Sequence, residues 1–404
     1  MYITRTLEQS IQKASTFFTV VLVTGPRQVG KTTIFEKSEE QKRRYVSLDT
    51  LENRELAQND PQAFLGRFPA PLLIDEIQYA PQLFPYIKAV VDQKKEKGIY
   101  WITGSQQFNM MQNVTESLAG RVGILKLQGL SSAEKDNRPL QEAFLPVKSV
   151  IEKRERPQPG SSEVYRRIWK GSYPALFTSP DDYWKMFYDS YMQTYIERDV
   201  KQILKVSDEL LFVSFMRVLA AQTGQLLNYA SVSKEIGVAE TTVKSWLSVL
   251  QTSGLVFLLH PYSNNLTARA IKTPKVYFAD TGLACYLTKW NTPETLESGA
   301  FSGAIFETYV VSEIIKSYMH NGQEPSIYFY RNRDGIEIDV ILEENGTLYP
   351  IEIKKKSNPD KGDIKNFAIL SRFEKNIGTG AVLCLAPTYL PLSDQAWIVP
   401  AGYV

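Results

Sequence analysis

The chain is poor in sulfur and histidine, with 2 cysteines and 2 histidines in 404 residues. Cys285 and Cys384 both lie in apolar runs, so a disulfide framework is not expected and a reducing, cytoplasmic setting is. His260 and His320 are too few for histidine zinc sites or a His-based triad. No stretch approaches about 18 apolar residues, so no membrane-spanning helix is expected. The opening MYITRTLEQSIQ lacks the apolar core of a signal peptide. Net charge is only +2, so no global basic field points to nucleic acid. The short clusters KRR, KKEK, KRER and KKK each read as solvated surface. The rest is the composition of a globular protein long enough for two or three domains.

Against that background the run FFTVVLVTGPRQVGKTTIF stands out. It reads as a buried strand, a glycine loop and a helix start. Gly25-Pro26-Arg27-Gln28-Val29-Gly30-Lys31-Thr32 matches G-x4-G-K-[ST], with Thr33 following. Gly25 and Gly30 let the backbone turn its N–H groups toward a phosphate, and the helix start adds its dipole. Lys31 is placed for the β- and γ-phosphates of ATP, and the Thr32 hydroxyl for Mg²⁺. The second half of such a site is an acidic residue ending another buried strand. PLLIDEIQ supplies Asp75 for the metal and Glu76 to polarise an attacking water. That glutamate argues for hydrolysis over phosphoryl transfer to a small molecule. KRRYVSLD and GIYWITGSQQ read as further strands, and Ser105 or Gln106 is placed to sense the γ-phosphate, or else belongs to a plain strand-to-loop turn. Strands alternating with helices mean a parallel sheet covered on both faces.

TGPRQVGKTT, YVSLD, LLIDEIQ, ITGSQQF and ESLAGRV, in this order, resemble one prokaryotic family of AAA-type ATPases. Its members carry a conserved C-terminal domain of unknown function. GSYPALF at Gly171–Phe177 and YIERDV at Tyr195–Val200 extend the likeness over nearly the whole chain. The resemblance implies an ATPase core of the additional-strand type, with Glu76 as catalytic glutamate. ATPases of this type commonly complete their site with an arginine from a neighbouring subunit, worth about 10³–10⁵ in rate. Arg121 and Arg198 are the candidates, Arg121 slightly favoured, and a homo-oligomer such as a ring is expected. Each is alternatively a structural salt bridge.

From Ser131 to Ser162 the chain is charged and proline-spaced, which reads as a linker or exposed lid loop. WKMFYDSYMQTYIERDVKQIL has helical spacing and reads as a core helix. NYASVSKEIGVAETTVKSWLSVLQTSGLVFLLHPY has the pattern of a winged helix-turn-helix. It would set Thr241, Thr242, Lys244 and Ser245 on DNA, or else serve as a packing or protein-interaction module.

In GIEIDVILEENGTLYPIEIKKK, Asn345-Gly346 signals a two-residue hairpin turn. That register sets Glu344 opposite Thr347, Ile341 opposite Pro350, Val340 opposite Ile351, and Asp339 opposite Glu352. Glu337 would face Lys354, and Ile338 would face Ile353. Two facing carboxylates are tolerated if one is protonated or if they share a cation, Mg²⁺ or Mn²⁺, with Lys354 catalytic rather than a ligand; the alternative is a half-exposed hairpin carrying ordinary surface charges. The arrangement resembles the D…(D/E)xK core of restriction-type nucleases, with Glu307 on the amphipathic helix FSGAIFETYVVSEIIKSY as the added acid.

The expected molecule is α/β. A P-loop core spans residues 1–131 and a lid and helical region 132–205. A winged helix spans 206–266 and a nuclease-like domain 267–404. The expected function is Mg²⁺-dependent ATP hydrolysis coupled to DNA. The alternative is a nucleotide switch that binds a protein partner, its nuclease-like domain silent.

Overall fold

The computed structural model describes residues 2–38, 43–104, 114, 116–196, 200, 209–264 and 273–404. They form two compact units, the first built mainly from residues 1–130 and the second mainly from 131–404.

The first unit holds five parallel strands: β1 (Val20–Thr24), β2 (Arg44–Ser47), β3 (Leu72–Asp75), β4 (Tyr100–Gly104) and β5 (Val122–Lys126). Their order is β2-β3-β4-β1-β5. The β1, β3 and β4 side chains are buried throughout, as expected for strands covered on both faces. The edge strand β5 alternates between buried and exposed positions. Phe64, Phe84 and Ile87 pack over Leu22, Ile74 and Ile102. β4 lies between the strand that enters the glycine loop and the strand that ends in Asp75. This is the inserted strand that the resemblance implied. A parallel sheet brings all its C-terminal strand ends to one edge, so Gly25, Asp75 and Gly104 lie together there.

The second unit begins with a stretch whose charge suggested exposure. Ser131–Lys135 is buried instead. Ser131 and Glu134 form a capping box, the Ser132 N–H donates to Glu313 at 2.7 Å, and Lys135 Nζ donates to Gly171 O at 2.7 Å. Burial brings the Lys135 ammonium down to about 8. The aromatic helix Tyr183–Tyr195 is a core helix, burying Trp184, Tyr188, Tyr191 and Tyr195. The GSYP segment is tied down by buried Asp280, which accepts from Ser172 N (2.6 Å), Ser172 Oγ (2.7 Å) and Tyr188 OH (2.7 Å). Gly171 has φ +83°, and a Cβ there would meet Tyr188 OH at 2.4 Å and Asp280 at 2.8 Å.

Helices Tyr229–Ile236 and Glu240–Thr252 follow, joined through left-handed Gly237. Around them run β6 (Gln225–Leu226), β7 (Val256–Pro261) and β8 (Lys275–Phe278), with β8 antiparallel to both others. The remaining strands are β9 (Ile327–Arg331), β10 (Glu337–Glu344), β11 (Thr347–Lys354), β12 (Asn376–Ile377), β13 (Gly380–Cys384), β14 (Leu390–Ser393) and β15 (Ala396–Pro400). β7 pairs in parallel with β9, so one mixed sheet runs β14-β15-β13-β11-β10-β9-β7-β8-β6, with β12 beside β11. The helix Ser302–Met319 is buried on nearly every side, where an amphipathic helix was expected. Its charges Glu313 and Lys316 pair at 2.9 Å inside.

Candidate functional site

At the end of β1 the loop curls through Gly25 (φ +151°), Gln28 (φ +61°) and Gly30 (φ +91°). A Cβ on Gly25 would lie 2.0 Å from Leu127 O, so this residue must be glycine. Lys31 opens the following helix and is buried; its Nζ donates to Gly25 O (3.2 Å) and Pro26 O (2.8 Å). Buried Arg5 braces the loop from outside, donating to Val29 O at 2.9 Å.

Asp75 ends β3 and is buried. Its Oδ1 accepts from Thr32 Oγ1 at 2.8 Å and from Thr103 Oγ1, and its Oδ2 accepts from Tyr45 OH at 3.1 Å. Burial, then the Asp75 charge, push the Tyr45 phenol up to about 12. Glu76 follows in a left-handed conformation, φ +57°. Its N–H donates to Thr103 Oγ1 at 3.1 Å, and its carboxylate accepts from Gln78 Nε2. Thus the structure brings Lys31 and Thr32 together with Asp75 and Glu76. Thr103, Tyr45 and Gln78 were missed. Thr103 lies in GIYWITGSQQ two residues before Ser105, and Ser105 and Gln106 lie outside the described residues. Thr103 shows that the end of β4 faces Asp75.

Arg121 immediately precedes β5, whose other end lies beside the glycine loop. It makes a double ion pair with Asp92, Nε–Oδ1 2.5 Å and Nη2–Oδ2 3.1 Å. Arg198 lies outside the described residues.

In the second unit, Thr241, Lys244 and Ser245 are exposed on the second helix of the pair, Thr242 half-buried. The β10–β11 hairpin has the register that Asn345-Gly346 set: Glu344 faces Thr347, Ile341 faces Pro350 and Val340 faces Ile351. There the paired ladder stops. Beyond it the Asp339 carboxylate takes the Ile353 N–H at 2.8 Å, next to a bulge between Ile338 and Ile341 on the β9 side. The hairpin is central rather than half-exposed, and Glu352 is 3% exposed. Lys354 Nζ lies 2.8 Å from Glu352 and 3.5 Å from Asp339. Burial and the Asp339 charge push the Glu352 carboxyl up to about 9, despite Lys354. Among the described residues its Oε1 has no hydrogen-bond partner.

Glu307 does not join that pair. It accepts from Lys275 Nζ (3.1 Å) and Tyr277 OH (2.6 Å). Glu337, expected opposite Lys354, pairs instead with Lys275 at 2.6 Å and Arg331 at 3.4 Å. Burial would lower the Lys275 ammonium, but Glu307 and Glu337 raise it. Among the described residues no three His, Cys, Asp or Glu side chains converge as a metal-holding group. Lys275, on another strand far back in the sequence, carries no motif that would have singled it out.

Residues 18–135 match a family model described as an AAA domain. Residues 161–294 and 302–404 match two domains of unknown function (DUF8612 and DUF4143). Uncharacterized proteins of Mycobacterium tuberculosis and Mycobacterium bovis are each 29% identical over 397 residues, covering 95% of this chain and 80% of the relative. Among solved structures, a Walker-type ATPase of Pyrococcus abyssi aligns at 14% identity over 70% of this chain and 94% of that one, TM-score 0.45. AMPPCP-bound DnaA from Aquifex aeolicus aligns at 9% identity over 61% and 85%, TM-score 0.28. No described helix is long and apolar enough to cross a membrane. The amino-terminal part of the chain is thus similar to an AAA domain, and the parts that follow are similar to domains of unknown function.

Proposed function

We propose that the chain is a Mg²⁺-dependent ATPase whose turnover is coupled to work on DNA. The observation that carries the ATPase reading is the 2.8 Å contact of Thr32 with Asp75 beside buried Lys31. It joins the phosphate loop to the acidic strand end. A hydroxyl and a carboxylate from separate elements fit Mg²⁺, which prefers oxygen ligands and retains waters. When bound, Mg²⁺ offsets charge on the phosphate oxygens. Lys31 leaves the Gly25 and Pro26 carbonyls for the phosphates. Glu76, released by Gln78, accepts the proton of the attacking water. Arg121 or Arg198 of a second copy would complete the site in an oligomer, and Arg121 would first have to leave Asp92.

The DNA part rests on the exposed Thr241, Lys244 and Ser245 of the two-helix module, which has little positive charge. The test is ATP turnover by the full chain alone and with single-stranded, duplex and branched DNA, using Glu76→Gln as the blank. Stimulation by one DNA form is expected. A second reading, a nucleotide switch that binds a protein partner, is favoured by the C-terminal cluster. Cleavage of DNA would need Glu307, Asp339 and Glu352 released from Lys275, Tyr277 and Lys354 onto a divalent cation. A turnover rate indifferent to every DNA would select the switch.

A further inference from the structure

Tyr45 lies on the edge strand β2 and is 50% exposed, yet its hydroxyl turns inward to Asp75 Oδ2 at 3.1 Å. The other carboxylate oxygen accepts from Thr32 and Thr103. With one oxygen held on each side, the carboxylate cannot rotate freely. The register explains the reach. Ser47 stands opposite Asp75 and Tyr45 two residues earlier, on the same face, so only a long side chain spans the gap. A phenol is also a particular kind of donor, because it is neutral. Lysine or arginine would hold the carboxylate equally well but would cancel the charge that a metal ion needs. Phenylalanine would cover the same surface and hold nothing.

We infer that Tyr45 is a positioning residue for divalent-cation binding at Asp75. It orients the carboxylate and leaves its charge for the cation of a nucleotide complex. This rests on the ATPase reading above.

Partners that orient a metal-binding group are worth about 10–100-fold in metal affinity or activity. Tyr45→Phe removes the hydroxyl alone, from a half-exposed ring. The experiment is binding of a fluorescent ATP analogue to the full chain, in EDTA and across a Mg²⁺ titration. The variant should match wild type in EDTA and in apo melting temperature. Its half-saturating Mg²⁺ concentration should rise by about tenfold or more. An unchanged Mg²⁺ midpoint overturns the inference alone. So does an equal loss of nucleotide affinity with and without Mg²⁺, which marks a packing role. A wild type whose nucleotide binding is indifferent to Mg²⁺ overturns the ATPase reading, and this inference with it.

Discussion

Buried and half-buried carboxylates occur in both units, but they meet different partners. Asp75 is held by the hydroxyls of Thr32, Thr103 and Tyr45. In the C-terminal sheet, Lys275 lies between Glu307 and Glu337, and Lys354 reaches Glu352 and Asp339. Hydroxyls orient a carboxylate without neutralising it, whereas an ammonium orients it and consumes its charge. Desolvating an acid and a lysine together is tolerable because each answers the other. On the function proposed above, the first arrangement leaves a charge for an incoming cation, whereas in the second the acids already face lysines and Glu352 holds its proton.

The largest expected effect is at the open site. Glu76→Gln should cut ATP turnover by about 10²–10⁴-fold while fluorescent-nucleotide binding persists. Equal loss of binding would mean that Glu76 supports the loop rather than the reaction. Next, Lys275→Met should leave two acids of the second cluster without their shared cation. Urea unfolding should show a loss of about 3–5 kcal/mol. A neutral result would mean that the cluster is not held by this lysine.

A smaller effect separates the two sites by pH. The raised Glu352 carboxyl is protonated more readily folded than unfolded. Its contribution is complete below the ordinary carboxylate range and is lost as pH rises through about 9. Wild-type stability should therefore decline toward alkaline pH, and Glu352→Gln should flatten the decline, read from urea midpoints across that range. The smallest expected effect is Arg121→Ala. Its guanidinium is already engaged by Asp92, so turnover should stay near wild type. A loss of roughly 10³–10⁵-fold would instead make Arg121 the transition-state arginine of a neighbouring copy.

How legible each feature was follows from how local it is. The glycine loop and the apolar strand ending in Asp75-Glu76 are contiguous stretches, so spacing alone revealed them. Thr103 and Tyr45 reach Asp75 only because β4 and β2 flank β3, an adjacency that no local window contains. Asn345-Gly346 set the hairpin register through Val340 and Ile351. Past that pair the chain departs from the ideal ladder, because the Asp339 side chain takes a backbone N–H. Lys275 was invisible because it arrives on β8, which pairs with β7 rather than with the hairpin. Ser131–Lys135 misled because charge usually means exposure. Here the Ser131–Glu134 capping box and a contact to Glu313 satisfy its polar groups in the interior.

The most direct test of the contrast is Mn²⁺ binding to the full chain with a non-hydrolysable ATP analogue, followed by electron paramagnetic resonance. The account predicts tight binding that Asp75→Asn removes and Asp339→Asn leaves intact. Tight Mn²⁺ binding that survives Asp75→Asn and vanishes with Asp339→Asn would contradict it.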